Sequence, residues 1–167
     1  WLAIKVAWKF TKNPIKIYKA IIRSLKAHKK HFDELHLNED KLHQWENKLP
    51  KLNKKGQNRL KIALVGHSYV LNDKVANLDI KKKISEMGAE IITSEQMPRV
   101  TIENEMTKLD HNMYFQYERE ILGTIMYFLD SQSIDGIIHI IIFSCGPDSI
   151  VGELASRFSH RKQSVPL

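Results

Sequence analysis

One cysteine, Cys145, is all the thiol chemistry that this chain of 167 residues holds. A lone cysteine makes no intramolecular disulfide, so a disulfide scaffold is excluded. Long apolar runs are missing as well: none approaches the ~18 residues that span a bilayer. A cytoplasmic protein without a membrane partner is expected. No zinc-finger or RNP pattern occurs, and no stacking aromatics are set into a basic strand pair, so nucleic acid is not an expected partner. The pattern GxxxxGK[ST] is absent, and "ALVGHSY" lacks the further glycines of a dinucleotide fingerprint. The net charge of +7 does not reverse this, because nine of the 26 Lys and Arg residues fall between Lys5 and Lys30. Spaced along a helical pattern, they read as a solvated face. What is present is a hydrophobic fraction of 43% and three tryptophans, enough for a real core.

The chain reads as two unlike parts, a helical segment over residues 1–56 and an α/β lobe over 57–167. In the first, Trp1, Ile4 and Trp8 fall at helical spacing. Asn13-Pro14 offers a cap followed by proline at the first helical position. Tyr18, Ile21, Ile22 and Leu25 make an apolar stripe behind it. A second stripe joins Leu35, Leu42, Trp45, Leu49 and Leu52, with Asn38 as a cap before Glu39 and Asp40. Residues 53–58 contain no apolar side chain and are expected to be a linker.

From Leu60 the pattern alternates. "LKIALVG" (60–66) reads as a strand buried on both faces. Ala76, Ile80, Ile84 and Met87 form a helix stripe closed by Gly88, and residues 89–93 a short strand. After a loop with Met97-Pro98-Arg99, a helix rich in aromatics is expected over 112–131, then the strand "GIIHIIIF" (136–143). Pro147 opens a helix running to Arg161, and Val165 begins another strand. The order β-α-β-α-β-α-β predicts a Rossmann-like, flavodoxin-like parallel sheet, strand order 2-1-3-4, preceded by the α-helical segment. Both ends read as cut, so the chain is expected to be a piece of a larger protein.

In such a sheet ligands sit beyond the carboxyl ends of the strands, where the order reverses. That brings together two loops: Gly66, His67, Ser68 and Tyr69 after the first strand, and residues 144–149 after the third. Cys145 would stand at a helix N-terminus, a place that favours the thiolate, the form that binds iron or zinc. Gly146 allows a bulky cofactor close to the backbone, and Asp148 and Ser149 can cap the first turn. Three readings of Cys145 stay open: a small buried residue, a metal ligand, or a nucleophile served by His67. The third lacks a residue to orient the base. His139 is expected to be a hydrogen-bonded core residue. His28, His31, His36 and His43 share no face, and His111 and His160 carry no signal. Asn72, Asp73 and Tyr69 can either order the first loop or meet a ligand.

Three segments, "KIALVGHSYVLNDKVANLDIKKKISEMGAEIITSEQMP", "MYFQYEREILGTIMYFLD" and "DGIIHIIIFSCGPDSIVGELASR", resemble the 2-hydroxyacyl-CoA dehydratase family. The closest branch is the activase-related proteins labelled CoA-substrate-specific enzyme activase. The resemblance implies an iron–sulfur protein whose [4Fe-4S] or larger cluster is held by cysteines between lobes. It implies an ATP-hydrolysing activase as partner, an acyl-CoA substrate, and one-electron reduction to a ketyl radical that eliminates water. By the match of "CGPDS", Cys145 is the iron ligand, and Gly66, His67, Ser68, Tyr69, Gly146, Asp148 and Ser149 would line the cofactor or substrate cleft. The family's first loop reads close to GHPYN, and Ser68 and Val70 replace its proline and asparagine here. A cubane needs about four ligands, so the remainder of the polypeptide or a partner subunit would supply the others. The chain by itself is then expected to lack the cluster and to be inactive. The alternatives are a non-catalytic α/β interaction domain with a structural Cys145, and a thiol-dependent enzyme using Cys145 and His67.

Overall fold

The computed structural model describes residues 2–48 and 59–167. Trp1, Leu49, Leu52 and the linker expected at 53–58 lie outside the described residues. The chain divides into two compact units, Trp1–His36 and Leu37–Leu167.

The first unit carries α1 (Leu2–Ala7) and α2 (Pro14–Leu35). Asn13 caps α2 as its spacing predicts: its side-chain oxygen accepts from the N–H groups of Ile15 and Lys16 at 3.0 and 3.2 Å. Pro14 at the first turn has no N–H to leave unpaired. Leu35 ends this helix, so it does not share a stripe with Leu42 and Trp45.

The second unit opens with α3 (Glu39–Asn47), capped by Asn38 Oδ1 on the Lys41 N–H at 2.8 Å. Next come β1 (Lys61–Val65), α4 (Ser68–Asn72), α5 (Ile80–Glu86) and β2 (Glu90–Thr93). A 3-10 turn (Ser94–Gln96) leads into α6 (Arg99–Met106), α7 (Gln116–Ser131), β3 (Gly136–His139) and α8 (Gly146–Lys162). All strand pairs are parallel and the order is β2-β1-β3, as expected for the first three strands. Ala63 sits between Ile92 and Ile137 in the register.

Both faces of the sheet are covered, which is why β1 reads as a continuous apolar run. Ala63, Val65, Ile92 and Ile137 pack with Leu42, Ile102, Leu122, Phe128 and Val151 on one side. Leu64 packs with Leu71 and Ile84 on the other, beside the half-buried Ile62, Ile91 and Ile138. Gly88 closes α5 at φ 89°, a conformation that glycine adopts without penalty. Met87, expected on the apolar stripe, is 76% exposed.

Three expectations change. Helices α4 and α6 occupy segments read as loop; α4 is only Ser68–Asn72, and α6 presents no clean apolar stripe. The third strand stops at His139 instead of running to Phe143, because its ladder partner β1 ends at Val65. After the Ile140 N–H reaches the Val65 carbonyl at 2.9 Å, no strand remains to pair with. Residues 163–167 form no fourth strand among the described residues. The Pro166 carbonyl still accepts from the Ile137 N–H at 2.8 Å, and Val165 is buried. No helix among the described residues is long and apolar enough to cross a membrane.

Candidate functional site

The carboxyl ends of β1 and β3 bring together the two loops that carry His67 and Cys145. Their approach is close at Gly66: a Cβ there would lie 3.1 Å from the Ile140 carbonyl oxygen. Ser94 ties the same glycine to the end of β2, its hydroxyl donating to the Gly66 carbonyl at 3.1 Å. His67 then precedes α4, its own carbonyl accepting from the Val70 and Leu71 N–H groups.

On the other side, Ser144 turns the chain in a left-handed conformation with φ 67°. The Cys145 N–H thereby reaches the Ile142 carbonyl at 3.2 Å. Cys145 occupies the cap position of α8 and is half-buried. Pro147 follows in the first turn, and Asp148 points inward with no solvent exposure. A carboxylate in the first turn is favoured by the helix dipole. Its Oδ2 also accepts from the Ile142 N–H at 3.1 Å, which folds the loop onto the helix.

A ring nitrogen of His67, Sγ of Cys145 and a carboxylate oxygen of Asp148 lie within 4.8 Å of one another. His67 Nε2 stands 2.8 Å from Asp148 Oδ1. That approach is out of line for a hydrogen bond, and Nε2, Nδ1 and Oδ1 are all buried without a hydrogen-bond partner among the described residues. Leaving such atoms unsatisfied costs about 1–3 kcal/mol each. Buried charge of this kind is normally paired or coordinated to a metal.

Aromatic rings frame the imidazole. Tyr69 stacks on His67 with ring centroids 5.3 Å apart, and Tyr117 meets it edge-on at 5.3 Å. Partial desolvation, then the charges of Cys145 and Asp148, hold the Tyr69 phenol above its usual pKa. His139 is not the hydrogen-bonded core histidine its mid-strand place suggested. It ends β3, and its Nε2 is buried without a hydrogen-bond partner among the described residues. Burial pushes its pKa down, opposed by the nearby Asp148 carboxylate and reinforced by His67.

Of the residues proposed from sequence, Cys145, His67 and Asp148 converge, and Tyr69 joins them. Gly146 faces open space, with nothing within 4 Å of an added Cβ. Ser149 donates to the Cys145 carbonyl at 2.9 Å and Ser68 accepts from the Asn72 side chain at 2.9 Å, so both order their loops. Asp73 caps the Val75 and Ala76 N–H groups, and Asn72 reaches the buried Glu95. Sequence reasoning missed Tyr117 and His139 as neighbours of the site, and missed Asp148 as a donor facing His67. The signal for Asp148 was its place three residues into a proline-opened helix, one turn from Cys145.

Several chemistries are open to this donor set. Imidazole, thiolate and carboxylate together suit a transition-metal ion. A single thiolate fits one corner of an iron–sulfur cubane and no more. A thiol beside an imidazole that faces a carboxylate also has the parts of a nucleophile with its base and orienter.

The family described as CoA enzyme activase uncharacterised domain matches residues 2–97. The match takes in β1, His67 and β2 and ends before Cys145 and Asp148. No curated protein and no solved structure gives a significant match. With more than half of its residues inside the family match, the chain belongs to the CoA enzyme activase uncharacterised domain family.

Proposed function

We propose that this chain is one part of a 2-hydroxyacyl-CoA dehydratase-related iron–sulfur protein, in which Cys145 supplies one thiolate to the cluster. The observation that carries the reading is the placement of Cys145. It caps α8 at the carboxyl edge of a parallel sheet, half-buried, with open space beside Gly146, in a chain of the CoA enzyme activase family. The other thiolates would come from the remainder of the polypeptide or from a partner subunit, since the chain has no second cysteine.

When bound, the cluster, a [4Fe-4S] cubane or larger, supplies one-electron transfer at low potential. The residues of this chain do the rest by position. The first-turn N–H groups of α8 favour negative charge near Cys145. Tyr69 and Tyr117 pack against the imidazole on the His67 side. An ATP-hydrolysing activase would deliver the electron, and an acyl-CoA would receive it. In this reading the sheet is the start of a Rossmann-like one in a cytoplasmic protein, with residues from 165 opening a fourth strand beside β3. Its support is the bond from the Ile137 N–H to the Pro166 carbonyl.

The test is turnover. The full-length polypeptide, purified anaerobically with its ATP-hydrolysing partner, is expected to eliminate water from a 2-hydroxyacyl-CoA in the presence of ATP and a low-potential reductant. Cys145→Ser is expected to abolish it. No elimination from a panel of such thioesters by cluster-bearing protein would count against the dehydratase assignment.

A second reading, a thiol-dependent enzyme using Cys145 and His67, is favoured by the Asp148 carboxylate 2.8 Å from His67. It gives the imidazole the orienting residue that sequence alone did not supply. Alkylation of Cys145 by iodoacetamide at neutral pH, slowed at least tenfold in His67→Gln, is its expected signature.

A further inference from the structure

We infer that His67, Cys145 and Asp148 form a site for one divalent transition-metal ion, zinc or ferrous iron, bound through nitrogen, sulfur and oxygen without help from another chain. The ion would take the place of the cluster on the single thiolate of Cys145, and it requires only residues present in this chain.

Three observations carry it beyond the lone cysteine. The donor atoms of the three residues lie within 4.8 Å of one another. His67 and Asp148 are 6% and 0% exposed, and the facing atoms Nε2 and Oδ1 have no hydrogen-bond partner among the described residues. Those two atoms are 2.8 Å apart but misaligned, an arrangement that a shared cation would satisfy better than a shared proton. Bonds of about 2.0–2.3 Å to zinc put tetrahedral ligands about 3.5 Å apart. Closing the site on an ion therefore asks for a contraction of up to about 1.3 Å at its widest edge, within reach of a Cys145 side-chain rotation, and for the 2.8 Å edge between His67 and Asp148 to open by about 0.5 Å.

The charges also balance. One thiolate and one carboxylate carry two negative charges, neutralised by a divalent cation in a buried site, with imidazole neutral. Thiolate selects against magnesium and calcium, which take oxygen ligands. Asp148 and Cys145 have supporting contacts of the kind metal ligands ordinarily have, whereas the second ring nitrogen of His67 has no hydrogen-bond partner among the described residues. The Ile142 N–H holds Asp148 Oδ2, the Cys145 N–H is fixed on the Ile142 carbonyl, and two tyrosine rings set the imidazole plane. Three protein ligands leave a fourth position of a tetrahedron open, as in zinc sites that bind water or substrate.

The experiment is an anaerobic titration of the reduced 167-residue chain with Co2+ as the optical probe. The site predicts one ion per chain, a sulfur-to-cobalt charge-transfer band, and visible bands of tetrahedral intensity, all displaced by one equivalent of Zn2+. Cys145→Ser is expected to remove the charge-transfer band. His67→Gln and Asp148→Asn are expected to weaken Co2+ binding by roughly tenfold or more. Circular dichroism checks the fold of each variant. Where Asp148→Asn does not fold, Cys145→Ser, at a half-buried position, carries the test. Absence of binding, a weak octahedral spectrum, or a charge-transfer band that survives in Cys145→Ser would overturn the inference. Such a failure leaves the cluster reading standing, because that is read from the iron content of the full-length protein, a separate sample.

Discussion

His67 Nε2 lies 2.8 Å from Asp148 Oδ1, both side chains are buried, and neither atom completes a hydrogen bond among the described residues. Two polar groups have been taken out of water and face each other at ion-pair distance without the alignment of a hydrogen bond. A folded chain tolerates this where the arrangement serves something other than stability. Cys145, on the same turn of α8 as Asp148, supplies the third donor.

The first prediction concerns Asp148 itself. Because its Oδ1 is unsatisfied, Asp148→Asn should change the stability of the metal-free chain by less than about 1 kcal/mol. Saturating Zn2+ should raise the urea midpoint of the wild type and leave that of the variant unmoved. A large loss without metal would make Asp148 a structural residue instead.

Gly66 and Gly152 give a contrast in which the shorter contact is the milder one. A Cβ at Gly66 would press 3.1 Å from the Ile140 carbonyl oxygen, a backbone atom with no freedom to move aside. Gly66→Ala should cost about 1–3 kcal/mol in urea unfolding. At Gly152 the Cβ would meet only Ile141 Cδ1, at 2.8 Å, the far end of a half-exposed side chain that can rotate. Gly152→Ala should be neutral or stabilise by up to ~1 kcal/mol, the helix preference of alanine over glycine.

Lys61 is 7% exposed, yet it opens β1. Its ammonium donates to the Trp45 and Glu46 carbonyls at the end of α3 and lies 5.2 Å from the centre of the Trp45 ring. It thus serves as the C-terminal cap of that helix. Lys61→Met keeps the volume and removes the cap. A loss of about 1–3 kcal/mol in urea unfolding is expected, and an unchanged midpoint would remove Lys61 from the account.

Asp130 receives Lys162 at 2.8 Å and Lys108 at 3.0 Å. The Lys162 hydrogen bond holds its carboxyl below the usual value of 3.8, partial burial opposes this, and Lys108 adds to the lowering. A depressed carboxylate stabilises the fold above its unfolded pKa, and that stabilisation is lost as pH falls through the folded value. The site is partly exposed and screened, so Asp130→Asn should cost about 0.5 kcal/mol at neutral pH. The wild type and variant should converge on the acid side of the usual 3.8. A difference that persists at acid pH would exclude the ion pairs as its cause.

Much of this was legible in the sequence for local reasons. Asn13 and Asn38 announced their helices by cap chemistry. "LKIALVG" announced a doubly covered strand, and Pro147 marked the start of α8. The nearness of His67 and Cys145 followed from parallel topology alone. What stayed hidden depends on partners distant in sequence. The third strand stops at His139 because β1 ends at Val65, which no property of "GIIHIIIF" reveals. Helix α6 carries no clean apolar stripe, so Pro98-Arg99 read as loop. Asp148 looked like a capping residue because its burial comes from the fold, and Tyr117 reaches His67 from a separate helix.

The central claim is that Cys145 binds metal in the assembled protein, and iron is its most direct witness. The full-length polypeptide, purified without oxygen and reduced, should show cluster iron, acid-labile sulfide and a low-temperature EPR signal. In Cys145→Ser the iron content should fall and the signal should be lost or altered. Wild-type protein that contains no iron, or a variant whose iron and EPR signal match the wild type, would contradict it.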